Sequence, residues 1–188
     1  FITIISVRIN IFCHENNLLL FIWYTNPVKL VLTPSKILTE KAKPVTKIDN
    51  RIRKIISEMK DVLNKSQIGV GLAASQVGLP LRLFIAAPTL IKRANRPVNP
   101  YKIFINPQLV PIPENQQLTT NNRLPKTTLE GCLSIPNVWG RVMRSPRVTL
   151  SYLDETGASH TDTFTGFMAI IVQHEMDHLA GTLFTQHV

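Results

Sequence analysis

Gln173-His174-Glu175-Met176-Asp177-His178 sits inside an apolar run from Phe167 to Leu179, and Gly181 follows it. A run that is apolar on nearly every side predicts a helix in the middle of a domain, and a glycine just past its end is a natural stop. Histidines four apart lie on one face of such a helix, so both rings can reach a single metal ion, with Glu175 beside the first. The pattern H-E-x-x-H thus offers two imidazoles and a carboxylate general base. The competing reading is a pair of histidines satisfied by hydrogen bonds in an ordinary helix. Burying His, Glu, Asp and His among apolar neighbours without partners is costly, and the metal reading is preferred.

A catalytic metal of this type needs a third protein ligand and an open position for water. In the metzincin pattern a third histidine stands six residues after the second; here that position is Phe184, which cannot ligate. In the thermolysin-like arrangement a Glu arrives from a later helix, yet ten residues follow His178 and none is acidic. His187 is the one downstream candidate, in the terminal tail. The third ligand is therefore expected upstream, at Cys132 in the segment Glu130-Gly131-Cys132-Leu133-Ser134-Ile135-Pro136. A thiolate binds zinc or ferrous iron strongly, and coordination keeps it deprotonated. Cys13 is read as a bystander, a small buried hydrophobe.

Composition sets the limits around this helix. A chain of 188 residues suits one domain of ordinary size, and 44% hydrophobic with 18% charged residues allows a packed core. Lys and Arg number 21 against 12 acids, a net +9 that favours anionic surroundings without specifying a fold. Two cysteines exclude a disulfide-stapled miniprotein and a four-cysteine zinc ribbon. The apolar start, Phe1 to Tyr24, is broken by Arg8, His14 and Glu15, so no run approaches the ~20 residues of a membrane span. It also lacks the charged start and small-residue cleavage site of a signal peptide. Residues 1–28 are read as an N-terminal extension and 29–188 as the functional domain.

Along that domain, Ile48, Ile52, Ile55, Ile56, Met59, Val62 and Leu63 recur at three and four, predicting an amphipathic helix from Ile48 to Lys65. Thr46 with Asp49 resembles a capping box for it. Leu81 to Ala86 and Lys102 to Ile105 read as short strands closed by proline. Pro88 to Pro100 and Pro111 to Lys126 read as loops. Val142 to Met143, Arg147 to Leu153 and Ser159 to Thr165 are expected to form a meander, with Asp154-Glu155-Thr156-Gly157 as a hairpin turn. The order of elements argues for one α+β domain. Gly69-Val70-Gly71-Leu72-Ala73-Ala74-Ser75-Gln76 is a glycine-containing turn without the Rossmann or Walker context. By itself it is explained by tight packing, with Gln76 offering an amide in apolar surroundings.

Three segments, Gly69 to Gln76, Glu130 to Ser134 and Gln173 to His178, together resemble the three signature motifs of the peptide deformylase family. The resemblance runs from about Lys29 to Phe184. It implies an α+β fold with small antiparallel or mixed sheets packed around the central helix. It also implies a hydrolase that removes the N-formyl group from formylmethionine on new polypeptides, releasing formate. Carried onto this chain, Cys132, His174 and His178 would hold one divalent metal ion, Fe2+ as usual in the family, with Zn2+, Ni2+ or Co2+ as substitutes. Glu175 would act as general acid and base while hydroxide on the metal attacks the formyl carbon. The Gln76 side chain and the Leu133 backbone N–H would stabilise the oxyanion, and backbone groups of Val70 and Gly71 would pair with the substrate.

The family further implies nascent formylated polypeptides as partners, neither DNA nor a membrane span, and a bacterial-type cytoplasmic location or an organellar origin. The ribosome is a possible further partner, but the basic C-terminal docking helix of some bacterial members is absent from these residues. Ser75 stands where Pro or Thr is frequent, and Ile170 stands where Arg is common. The main alternative is a zinc endopeptidase of the H-E-x-x-H class, which lacks its downstream ligand here. A basic nucleic-acid-binding module ranks far behind, because the basic residues are scattered and no RNA-binding motif accompanies them.

Overall fold

A computed structural model describes residues 28–66, 68–87, 101–111 and 126–188. The extension 1–28, apart from Val28, and most of both proline-rich loops lie outside the described residues. Helix α1 spans Asn50–Lys65. It starts two residues later than the hydrophobic pattern suggests, because Asp49 is the N-cap rather than the far half of a capping box. Its carboxylate accepts from Arg51 N–H (3.0 Å) and Ile52 N–H (3.1 Å), groups left without partners by the first turn of any helix. The apolar stripe behaves as expected: Ile52, Ile55, Ile56, Met59 and Leu63 are buried. Each such side chain contributes on the order of 1.5–3 kcal/mol.

The main sheet has five antiparallel strands in the order β1-β2-β3-β6-β7. These are β1 (Gly71–Ala73), β2 (Leu83–Ala86), β3 (Lys102–Val110), β6 (Arg147–Leu153) and β7 (Ser159–Thr165). Side-chain alternation divides the core between its faces. Leu83, Ile85, Ile103 and Ile105 join the α1 stripe on one side. Phe84, Phe104, Leu150 and Phe164 join α2 (Gly166–Ala180) on the other. Phe84 and Phe104 stack there with ring centroids 4.3 Å apart. Helix α2 ends at Gly181, whose φ of 79° lies in the left-handed region that glycine adopts without strain.

Three expectations need correction. Strand β3 does not stop before Pro107 but continues to Val110. Proline is accommodated because the register shifts between Ile105 and Gln108, a bulge where no ladder N–H is required. Asn106 takes a φ of 52° there and bonds both Val45 N–H and Val45 C=O through its side-chain amide, each at 2.8 Å. Second, the expected meander loses one member. The segment containing Val142 is β5 (Ile135–Arg144), which pairs with β4 (Lys126–Cys132) in a separate two-stranded sheet. Third, the glycine-containing turn includes β1, all three of whose residues are buried. Among the described residues no helix is long and apolar enough to cross a membrane.

Candidate active site

Helix α2 lies between the sheet and the β4–β5 hairpin, and the three signature segments meet along it. Cys132 ends β4, and its Sγ lies 3.2 Å from His178 Nε2. Ligand atoms of Cys132, His174 and His178 all fall within 4.8 Å of one another. His174 and His178 are one helical turn apart, with ring centroids separated by 5.1 Å. The residues nominated from spacing and from elimination therefore converge, although they are 46 positions apart at the extremes.

The orientation of each group follows from its partners. Glu130 accepts two bonds from the buried Arg144, from Nε at 2.8 Å and Nη2 at 2.9 Å. Burial favours the neutral acid, yet Arg144 and His174 outweigh it and lower the Glu130 pKa to about 2. Glu130 is thus an acceptor only, so the 3.0 Å contact to His174 requires a proton on Nδ1. With Nδ1 committed to Glu130, Nε2 is the nitrogen left to face a metal ion, the usual arrangement for a metal-ligating histidine held by a carboxylate. Burial, with His174 and Arg144 nearby, lowers the His178 pKa to about 3, so its imidazole is neutral. For His174, burial works against protonation, but hydrogen bonds to Cys132 and Glu130 raise its pKa to about 10, so a metal ion binding at Nε2 would displace a proton from it. The site offers one sulfur and two imidazole nitrogens, a donor set that fits zinc or ferrous iron.

Glu175 is 3% exposed, and its Oε2 has no hydrogen-bond partner among the described residues. Burial pushes its pKa up to about 7. Its carboxylate lies directly against Gly71, where any Cβ would collide with it. Glycine in the first segment is therefore required by close approach to α2 and not by a phosphate. Gln76 is equally constrained: its Oε1 accepts from Ala73 N–H at 2.8 Å. The amide nitrogen is thereby aimed at Cys132 Sγ and Ser134 Oγ, both at 3.3 Å.

A cleft of about 420 Å³ opens on this group. Gly71, Gln76, Cys132, Leu133, His174 and Glu175 form its wall, and Ile68, Leu129, Trp139 and Phe167 form an exposed apolar rim. Val70 also lines the cleft, and its carbonyl already accepts from Ala87 N–H at 2.7 Å. Strand alternation then turns the Gly71 amide and carbonyl to the open edge of β1. Ile170 supplies an aliphatic wall. Its lack of charge leaves the local ion pairs intact, since Arg144 Nη1 bonds Asp177 Oδ2 at 2.7 Å. Sequence reasoning missed Arg144. The signal was present: Gly140, Val142 and Arg144 occupy the inward positions of β5 at a spacing of two.

Comparison with known proteins agrees with this geometry. A sequence model of the family described as polypeptide deformylase matches residues 27–188. A peptide deformylase of Chlorobaculum parvum is 40% identical over 154 residues, covering 81% of this chain and 74% of that protein. A crystal structure of peptide deformylase from Plasmodium falciparum superposes with a TM-score of 0.74 at 32% identity, covering 85% of this chain and 86% of that one. A Synechococcus elongatus peptide deformylase in complex with actinonin gives a TM-score of 0.73 at 34% identity, covering 87% and 82%. The chain belongs to the polypeptide deformylase family, metal-dependent hydrolases that remove the N-formyl group from newly made peptides.

Proposed function

We propose that Cys132, His174 and His178 hold the metal of this deformylase, with Fe2+ as the native ion, and that Glu175, Gln76 and Leu133 carry the chemistry. The supporting observation is the convergence of one thiol and two imidazoles within 4.8 Å beside a buried carboxyl. When bound, such an ion acidifies water towards neutrality and polarises a carbonyl. Glu175 takes the proton from the attacking water and hands it to the leaving amine nitrogen. A carboxyl with a pKa raised to about 7 is suited to both transfers at neutral pH. The Gln76 amide nitrogen, fixed by Ala73, and the Leu133 backbone N–H donate to the oxyanion as it forms.

The peptide backbone adds to the open edge of β1 through Gly71, next to Val70, in the manner of an extra strand. The apolar rim then covers the methionine end of the substrate and excludes water. Zn2+, Ni2+ and Co2+ fit the same donors and would substitute for Fe2+. A net charge of +9 suits an enzyme that meets formylated chains beside ribosomal RNA, in the compartment where they are made.

Cys132→Ser tests the ligand assignment, because a hydroxyl is a far weaker ligand than a thiolate. Expected is loss of most of the bound metal on dialysis, together with a change in which metal supports formate release. Elemental analysis showing full occupancy, with unchanged activity, would remove Cys132 from the ligand set.

A further inference from the structure

The C-terminal segment reaches back to the site. After Gly181 the chain turns, with Thr182 N–H bonding Asp177 C=O at 2.9 Å, and closes into a 3-10 turn over Phe184–Gln186. Phe184 is 2% exposed, and its ring centroid lies 6.0 Å from that of His174. On the other side the segment meets β5 at Gly140, where a Cβ would collide with Val188 and press on Phe184. The turn places His187 Nε2 3.2 Å from Asp177 Oδ2, the same oxygen that Arg144 bonds.

The charges explain what that contact does. One guanidinium serves two carboxylates, Glu130 through two bonds and Asp177 through one. Asp177 is the more exposed of the two, 24% against 5% for its side chain. The His187 ring, 3.2 Å from the Asp177 carboxylate on its more open side, keeps that group in place on Arg144. Arg144 in turn keeps Glu130 on His174 Nδ1. From the 3.2 Å contact of His187 with Asp177, hydrogen bonds run on through Arg144 and Glu130 to His174, linking the surface to a ligand.

We propose that His187 is a positioning residue for the metal centre, acting through Asp177, Arg144 and Glu130 to hold the His174 ring in its ligating orientation. This rests on the assignment of Cys132, His174 and His178 as ligands.

The test uses full-length protein loaded with Co2+, following metal loss to a chelator and the visible spectrum of the thiolate-bound cobalt. For His187→Ala, Co2+ loss accelerates about tenfold, the low end of what partners of metal-ligating histidines produce. The cobalt bands shift, and kcat falls with KM unchanged. His187→Gln keeps an N–H within reach of Asp177 and restores the wild-type rate. The metal-free melting temperature of His187→Ala stays within about 2 °C of wild type, which separates positioning from general loosening.

Three results would overturn the proposal: wild-type Co2+ loss in His187→Ala, equal leakiness of the Gln and Ala variants, or faster loss that merely tracks a lower metal-free melting temperature. Cys132→Ser run in parallel separates the two levels. If it leaks while His187→Ala does not, only the role of His187 fails; if it too retains Co2+ at the wild-type rate, the ligand set fails and His187 with it.

Discussion

Glu175→Gln is expected to retain its metal and to lose on the order of 10²–10⁴ in kcat, the usual contribution of a positioned general acid and base. The substitution keeps size and shape, so the close approach to Gly71 is preserved. It removes a carboxyl in the cleft that can shuttle a proton near neutrality, its pKa raised by burial to about 7. KM should change little, because Glu175 acts on the reacting atoms and not on the peptide chain. Steady-state formate release alongside elemental analysis checks this directly. A variant with near-normal kcat and full metal content would exclude Glu175 from proton transfer.

The second large effect is expected at a residue that touches neither metal nor substrate. Arg144 is 6% exposed and pairs with both Glu130 and Asp177. Arg144→Met keeps comparable volume but leaves a buried carboxylate without its partner, a change that costs about 3–5 kcal/mol. That is a large fraction of the about 5–15 kcal/mol that holds a typical domain together. Urea unfolding of the metal-free protein measures it. Adding Glu130→Gln to Arg144→Met should recover part of the loss, because the stranded charge is then gone. A single variant within about 1 kcal/mol of wild type, below the range for a broken buried pair, would mean the pair contributes little.

Arg144 also marks the boundary of what the sequence reveals. The H-E-x-x-H helix is legible because a four-residue spacing fixes both rings on one face whatever surrounds them. Cys132 is legible from the glycine-flanked segment Glu130 to Ser134, together with Phe184 standing where a third histidine ligand would. Helix α1 is legible from its stripe, because burial of Ile52, Ile55, Ile56, Met59 and Leu63 follows from period alone.

What escapes is pairing across distance. Strand β4 has Glu130 as its one fully buried residue, so it carries no apolar alternation and its partnership with β5 leaves no local trace. Without that hairpin, Glu130 and Arg144 read as surface charges, when in fact they hold His174. Strand β1 is hidden for a different reason. Gly71 and Ala73 on its α2 side are small, Gly71 because Glu175 presses against it, and smallness reads as a turn.

The most direct measurement combines metal analysis of protein purified without oxygen with a substrate comparison, formate release from formyl-Met-Ala-Ser against cleavage of casein. Expected is one metal ion per chain, formate released in step with the free amine, and intact casein. Casein cleavage without formate release would contradict the deformylase assignment.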